Sequence, residues 1–305
     1  YELRQGFCSG TVWLIYFLLT KVFGEPFMIR RSFIKLSKAV LPGLALSLAV
    51  LAPAQAFKAA DLEKFKAENS CEKCDLRRAI LKDTSHDGAK LAGVKARDID
   101  FKGAHLVGAD FFKAELRRAD FEKAILQNAN LKSTDLVATD FEKSNLQGAN
   151  LSRADARDAD MDNADLRGAT MIGIKLGQAD LKRANLRNAV LTRGNLEGAN
   201  LERSILVLAN LENANLTRAG LNRADLSRAV LKGAILKRAK LKRANFTSAD
   251  LSGVDFENAV LKLAIFSGAN LTGAKNLDQQ ALDGACGDSH TILPDGLKLK
   301  TCKAY

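Results

Sequence analysis

Proline is missing from residue 54 to residue 293: of the four prolines, three lie at or before Pro53 and the last is Pro294. A residue that cannot donate to a backbone ladder is thus kept out of the whole central stretch. Aromatic rings are scarce as well. Trp13 is the sole Trp, and beyond residue 56 the single Tyr is Tyr305. That excludes an ordinary globular core built on large rings, and a row of stacking platforms for bases or sugars. Long apolar runs are absent too. Thr11 to Thr20 and Ala39 to Ala52 both fall short of the roughly 20 residues that cross a bilayer, and Pro42 and Gly43 weaken the second run. No transmembrane segment is therefore expected. The three histidines, His86, His105 and His290, are not gathered, and no Gly-rich phosphate loop, nucleophile elbow or metal-ligand spacing occurs. No catalytic residue, cofactor or metal site is expected.

What is present begins with a targeting signal. Tyr1 is not an initiator residue, whereas Met28 opens a basic stretch, an apolar run and Ala54-Gln55-Ala56, the pattern of a secretory signal. Residues 1–27 read as an upstream extension outside the fold, 28–56 as a signal peptide cleaved near Ala56. Within it "RRSFIK", Arg30 to Lys35, resembles a twin-arginine export motif, with an ordinary Sec signal as the alternative. Either route predicts a periplasmic or secreted protein. The remaining 249 residues, 57–305, hold 40 Lys and Arg against 33 Asp and Glu.

The dominant signal is a period of five. From Phe101 to Leu271 a large apolar residue recurs 35 times without one slip: 25 Leu, seven Phe, Met161, Met171 and, as the one small occupant, Ala156. Two positions before each of these centres the residue is Ala in 27 of 35 cases, and directly before the centre Asp or Asn fills 22 of 35. A helix turns by about 100° per residue, so positions five apart would be smeared around its whole surface, and no helix could bury the centres. A strand places the Ala and its centre on one face, but the next Ala, three residues on, would point out. The chain must bend once per repeat. Regular bends wind it into a coil with Ala and Leu inside, and stacked coils pair their backbones: a β-solenoid.

This pattern resembles the pentapeptide-repeat family, whose Ala-Asn/Asp-Leu-x-x consensus stands at "ANLRN" (184–188), "ADLSR" (224–228) and "ADFEK" (119–123). The resemblance covers about residues 71–273. It implies an all-β fold, a right-handed quadrilateral β-helix with four repeats per coil, in which residues twenty apart stack. Thirty-five repeats then make nearly nine coils, a column of about 40 Å at ~4.8 Å per coil. Phe101, Phe121 and Phe141, and Phe246 with Phe266, should pile ring on ring inside it. The Asp/Asn position, near each corner, is expected to bond local backbone N–H groups.

An open column leaves two unpaired edges, which need covers. Residues 57–75 read as an N-terminal cap with a short amphipathic helix, 76–273 as the β-helix and 274–305 as an irregular C-terminal cap. Leu76, Leu81 and Leu91 keep the phase in a looser start. A column of that length separates Cys71 and Cys74 from Cys286 and Cys302, while bonded Cα atoms lie within ~7 Å. Of the three pairings, only Cys71–Cys74 with Cys286–Cys302 then fits one molecule. "CEKC" lacks the context of a redox, haem or zinc motif.

Charge is unevenly spread along the column. Residues 96–180 hold 12 Lys and Arg against 15 Asp and Glu, residues 181–245 hold 14 against 4. Asp100, Asp120, Asp140, Asp160 and Asp180 should form one acidic file. Arg183, Arg203, Arg223 and Arg243 should form a basic one, extended by Lys123 and Lys143, with Lys182, Lys242 and Arg238 on or beside it. The expected function is that of an envelope scaffold or interaction surface without enzymatic activity. No partner is identified; a protein or an anionic polysaccharide would fit, and the lack of interleaved aromatics disfavours nucleic acid. One alternative is a module binding an anionic polymer through the basic face. A second comes from the family, whose acidic, dimeric members protect type II topoisomerases by mimicking DNA; this chain departs from them in its basic balance, its export signal and its lack of an inserted loop.

Overall fold

A computed structural model describes residues 58–302; the segments read as an upstream extension and a signal peptide lie outside the described residues. Every repeat folds the same way. The carbonyl of the centre accepts a hydrogen bond from the N–H three residues on, as in Ala104 to Phe101 (2.9 Å). The second residue after the centre takes a positive φ, 65° at Gly103 and 58° at Arg183. A closed four-residue turn with left-handed backbone only at its third residue is a type II turn. It is the bend that a five-residue period demands.

Four such turns close a coil, and each coil pairs in parallel with the next. Asp100 bridges Asp120, which bridges Asp140, and every bridge from Ser70 to Asp255 joins residues twenty apart. The turns join this ladder too: Gly103 N donates to Glu122 O at 2.8 Å and Phe101 N to Asp120 O at 2.8 Å. The result is a quadrilateral β-helix in which three of the four backbone bonds of a regular repeat run between coils and the fourth closes the turn.

Two positions per repeat point inward, the centre and the small residue two before it, and both are buried almost without exception. Phe101 stacks on Phe121 (ring centroids 5.3 Å apart) and Phe121 on Phe141 (5.2 Å), as Phe246 does on Phe266 (5.2 Å). Where the small position carries a hydroxyl, a carbonyl accepts from it: Thr134 bonds Phe111 O and Thr139 bonds Leu116 O. Volume is traded between coils. Gly194 stacks on the bulkier Ile174, and a Cβ at Gly194 would lie 3.5 Å from the Ile174 side chain and 3.0 Å from Leu191 O.

The pairing begins at Ser70, ahead of the boundary at 76 read from the sequence. Cys71 and Cys74 are already inward residues of the first coil, and His86, which stands outside the strict Leu/Phe/Met pattern, occupies a centre position and is buried. The sequence hid this because Cys and His stand where Leu is the usual mark. The helix α1, Ala59–Glu68, lies over this end with Leu62 and Phe65 buried. Lys58 N donates to Asp75 O (3.1 Å) and Asp61 accepts from Asp75 N (2.8 Å), which satisfies edge groups of the first coil.

At the other end the five-residue phase is lost after Lys275. A single helical turn, α2 (Gln279–Leu282), is capped by Asp278, which accepts from Ala281 N at 2.7 Å. The strand β1 (Cys286–Gly287) then continues the ladder on Ile265, Ile292 bridges Asn270, and β2 (Lys300–Thr301) pairs in parallel with β1. Among the described residues no helix is long and apolar enough to cross a membrane.

Candidate functional site

Three positions of each repeat face outward: the residue before the centre and the two turn residues after it. Stacking converts each into a file along the column, so the repeats themselves present faces. The Asp and Asn residues before the centres accept a hydrogen bond from the first N–H of the turn, as Asp120 does from Glu122 (2.8 Å), Asp180 from Lys182 (2.9 Å) and Asn210 from Glu212 (2.9 Å). This Asx bond pre-forms the turn, which explains the frequency of Asp and Asn there.

In the file from Asp100 to Asp180 the carboxylates stand one coil apart. Burial pushes the Asp140 carboxyl above the ordinary range, against the Glu142 N–H bond and with help from Asp120 and Asp160. Beside it Lys102 and Lys123 hold Glu122 down to about 2. The acidic side of this face is thus already occupied by turn N–H groups and lysines. Beyond Asp180 the file reads Asn200, Gly220, Lys240, so its acidity ends in mid-column. No group of three or more His, Cys, Asp or Glu among the described residues is arranged to hold a metal ion.

The basic file lies on the neighbouring turn position of the same face. Arg183, Arg203, Arg223 and Arg243 all have left-handed backbone, φ between 58° and 60°, and follow one another coil by coil. Their surroundings differ. Arg183 pairs with Asp162, and Arg203 Nε lies 3.7 Å from Glu202. Asn163 separates them from Lys123 and Lys143, each of which sits 2.6 Å from a glutamate, Glu122 and Glu142. Arg223, Arg243, Lys182 and Lys242 have no acidic partner within 4.0 Å among the described residues. Arg238 belongs to the preceding turn and is likewise unpaired, with Lys240 between it and Lys242. Apart from Lys182, the cations on or beside this file without an acidic partner lie toward the C-terminal end: Arg223, Arg238, Lys240, Lys242 and Arg243.

The four cysteines sit at the two ends. Cys71 and Cys74 have Cα atoms 5.4 Å apart, Cys286 and Cys302 4.9 Å, both at bonding distance. The buried centre residue His86 is a feature that sequence reasoning passed over. Its ring lies 4.5 Å from that of Phe65 in α1, its Nδ1 is 3.0 Å from Asn69 Oδ1, and its Nε2 is buried without a partner. Burial pulls its pKa down. Its place in the five-residue phase was the signal available. His105 and His290 are exposed.

Fold and faces together define a solenoid protein that presents files of side chains along its column. The pentapeptide repeats model matches in eight copies, between residues 87 and 275, and the chain belongs to the pentapeptide-repeat family. It is similar to HetL, a pentapeptide repeat protein involved in heterocyst differentiation regulation from the cyanobacterium Nostoc sp. strain PCC 7120, with 27% identity over 78% of this chain and 100% of HetL, TM-score 0.35. It is also similar to QnrB1, a plasmid-mediated fluoroquinolone resistance protein, at 21% identity over 69% of this chain and 90% of that one, TM-score 0.27. Rfr23 from the cyanobacterium Cyanothece 51142 is 20% identical over 77% and 98% of the two chains, TM-score 0.19. Scores this low add nothing to the family assignment. No curated protein matches the chain.

Proposed function

We propose that the protein is a non-enzymatic interaction scaffold of the cell envelope, a periplasmic or secreted column whose function is its surface. The observation that carries the reading is the regularity of the coils, whose bridges join residues twenty apart from Ser70 to Asp255 and leave no inserted loop on which a catalytic cleft could be built. Export is supported by the signal-like segment 28–56 and by the two cysteine pairs, which we take as disulfides of an oxidising compartment. Fractionation of cells expressing the full chain should find the cleaved protein outside the cytoplasm. A pull-down from envelope extracts should then recover a partner. Intact, uncleaved protein in the cytoplasm would overturn the assignment.

A second reading, capture of an anionic polymer, is favoured by the unpaired cations on the C-terminal half of the basic face. Guanidinium groups one coil apart suit the phosphate, sulfate or carboxylate of such a chain. Retention on immobilised heparin or lipopolysaccharide should fall with salt, and replacing Arg183, Arg203, Arg223 and Arg243 by Gln should abolish it without unfolding the column. Equal retention of the fourfold variant would refute this reading. DNA mimicry fits less well, because the acidic file stops at Asp180 and its carboxylates are engaged by turn N–H groups. Gyrase supercoiling should proceed unchanged in the protein's presence.

A further inference from the structure

The basic file of Arg183, Arg203, Arg223 and Arg243 changes character at its next step. One coil beyond Arg243 stands Leu263, on the same left-handed turn position (φ 62°) and 46% exposed. Among the described residues only Leu208 likewise puts a large aliphatic side chain on this strained, outward-facing position. Elsewhere it is held by Gly, Asn or another small, polar or charged residue, for which left-handed backbone or exposure is less costly. A leucine kept there at the expense of both backbone and solvation points to a role at the surface.

Leu263 is not isolated. The C-terminal segment pairs its backbone directly with this stretch, Leu263 N donating to Gly284 O and Ile265 bridging Cys286, and β2 adds beside β1; a half-open pocket of about 670 Å³ lies over this junction. Its lining includes Arg243, Leu263, Ile265, Cys286, Lys300 and Cys302. The volume falls in the ordinary range of small-molecule sites, roughly 300–1,000 Å³. Apolar surface dominates the floor, since Ile265 is also 36% exposed. Two cations border it. Arg243 and Lys300 have no acidic partner within 4.0 Å among the described residues, whereas the one carboxylate in the lining, Asp283, accepts from Gln279 Nε2 at 3.0 Å.

We propose that this pocket binds a single-chain amphiphile with an anionic head group, of the fatty carboxylate class, with the head on Arg243 and Lys300 and the chain over Leu263 and Ile265. A purely polar anion would leave the aliphatic floor wet, and a neutral hydrocarbon would leave the cations unused. Only a ligand that joins the two satisfies both halves of the lining. The site goes beyond the scaffold and polymer readings and shares only Arg243 with the latter.

Calorimetric titration of the purified protein with dodecanoate below its micelle concentration tests the proposal. Saturable binding of one molecule per chain is expected. Each methylene removed from the ligand should weaken binding about fourfold, and dodecanol should bind at least tenfold more weakly than dodecanoate. Lys300→Gln should bring the two ligands closer together. Leu263→Asn, which suits left-handed backbone and so preserves the turn, should weaken both. Absence of saturable binding, uptake of several molecules per chain, or unchanged affinity in Leu263→Asn would each overturn the proposal. Arg223→Gln with Lys242→Gln removes two of the unpaired cations of the basic face, lies outside the pocket lining and should leave dodecanoate binding intact. If that double variant loses heparin retention it upholds the polymer reading separately, and if it keeps both activities only the polymer reading falls.

Discussion

The ring ladder offers a graded test of what holds the column together. Seven phenylalanines occupy centre positions, all at most 2% exposed, but their ring environments differ. Phe121 meets three rings: Phe101 at 5.3 Å, Phe141 at 5.2 Å and, edge-on, Phe111 at 5.9 Å. Phe101 meets Phe111 and Phe121, Phe141 meets Phe121 alone, and Phe256 has no ring partner among the described residues. Leu is the usual centre residue, so Phe→Leu keeps the position filled and inward while removing the ring pairs. Aromatic pairs contribute about 0.5–1.5 kcal/mol each beyond their buried area. Relative to Phe256→Leu, which measures the loss of ring volume alone, Phe141→Leu should cost about 0.5–1.5 kcal/mol more. Phe101→Leu should cost about 1–3 and Phe121→Leu about 1.5–4.5 kcal/mol more on the same basis. Urea unfolding followed by far-ultraviolet circular dichroism gives these differences as shifts in midpoint at constant slope. Equal destabilisation across the four variants would mean that the ladder stabilises only by filling space, and the ring-pair argument would fail.

Other expectations follow from single groups. The raised carboxyl of Asp140 favours folding below its unfolded value of 3.8, and that contribution is lost as pH rises through the higher folded value. Asp140→Asn, which retains the turn-capping oxygen, should therefore raise the unfolding midpoint at pH 7 and have no effect near pH 3. His86 has the opposite sense: its lowered pKa gives stability present above 6.5 that is lost as pH falls below that value. Amide exchange in α1, corrected for intrinsic rates, should quicken between pH 6.5 and 5 while the mid-column stays protected, and His86→Leu should flatten the response. Peptide mapping without reductant should recover Cys71–Cys74 and Cys286–Cys302 linked; free thiols or any other pairing would contradict the reading. Reduction should loosen the C-terminal segment more than the first coil, since a loop of about 16 residues gains roughly 3 kcal/mol from closure. Leu208→Asn should stabilise the column by about 1 kcal/mol, the usual cost of left-handed backbone at an L-residue; a lower midpoint would show that the side chain is held by packing instead.

The five-residue phase was enough, on the sequence alone, to specify the architecture from Phe101 to Leu271, because one turn per repeat is the only way to keep every Leu and Ala on the inside. Which rings stack was foretold by the family resemblance, which implies a twenty-residue coil and so makes sequence distance and axial distance the same thing. What it could not supply was the neighbour of each side chain off that lattice. Whether Arg183 is free or neutralised depends on Asp162, which stands on the coil beneath it, and the sequence had grouped it with the unpaired Arg223. His86 was one of three scattered histidines until the bridges starting at Ser70 placed it inside the first coil against Phe65, and the pocket beside Leu263 exists only because Cys286 and Lys300 fold back after the period is lost. A repeat encodes its own geometry locally and many times over. Its ends and its surface charges are settled by contacts between segments that no period relates, and those the tertiary structure alone decided.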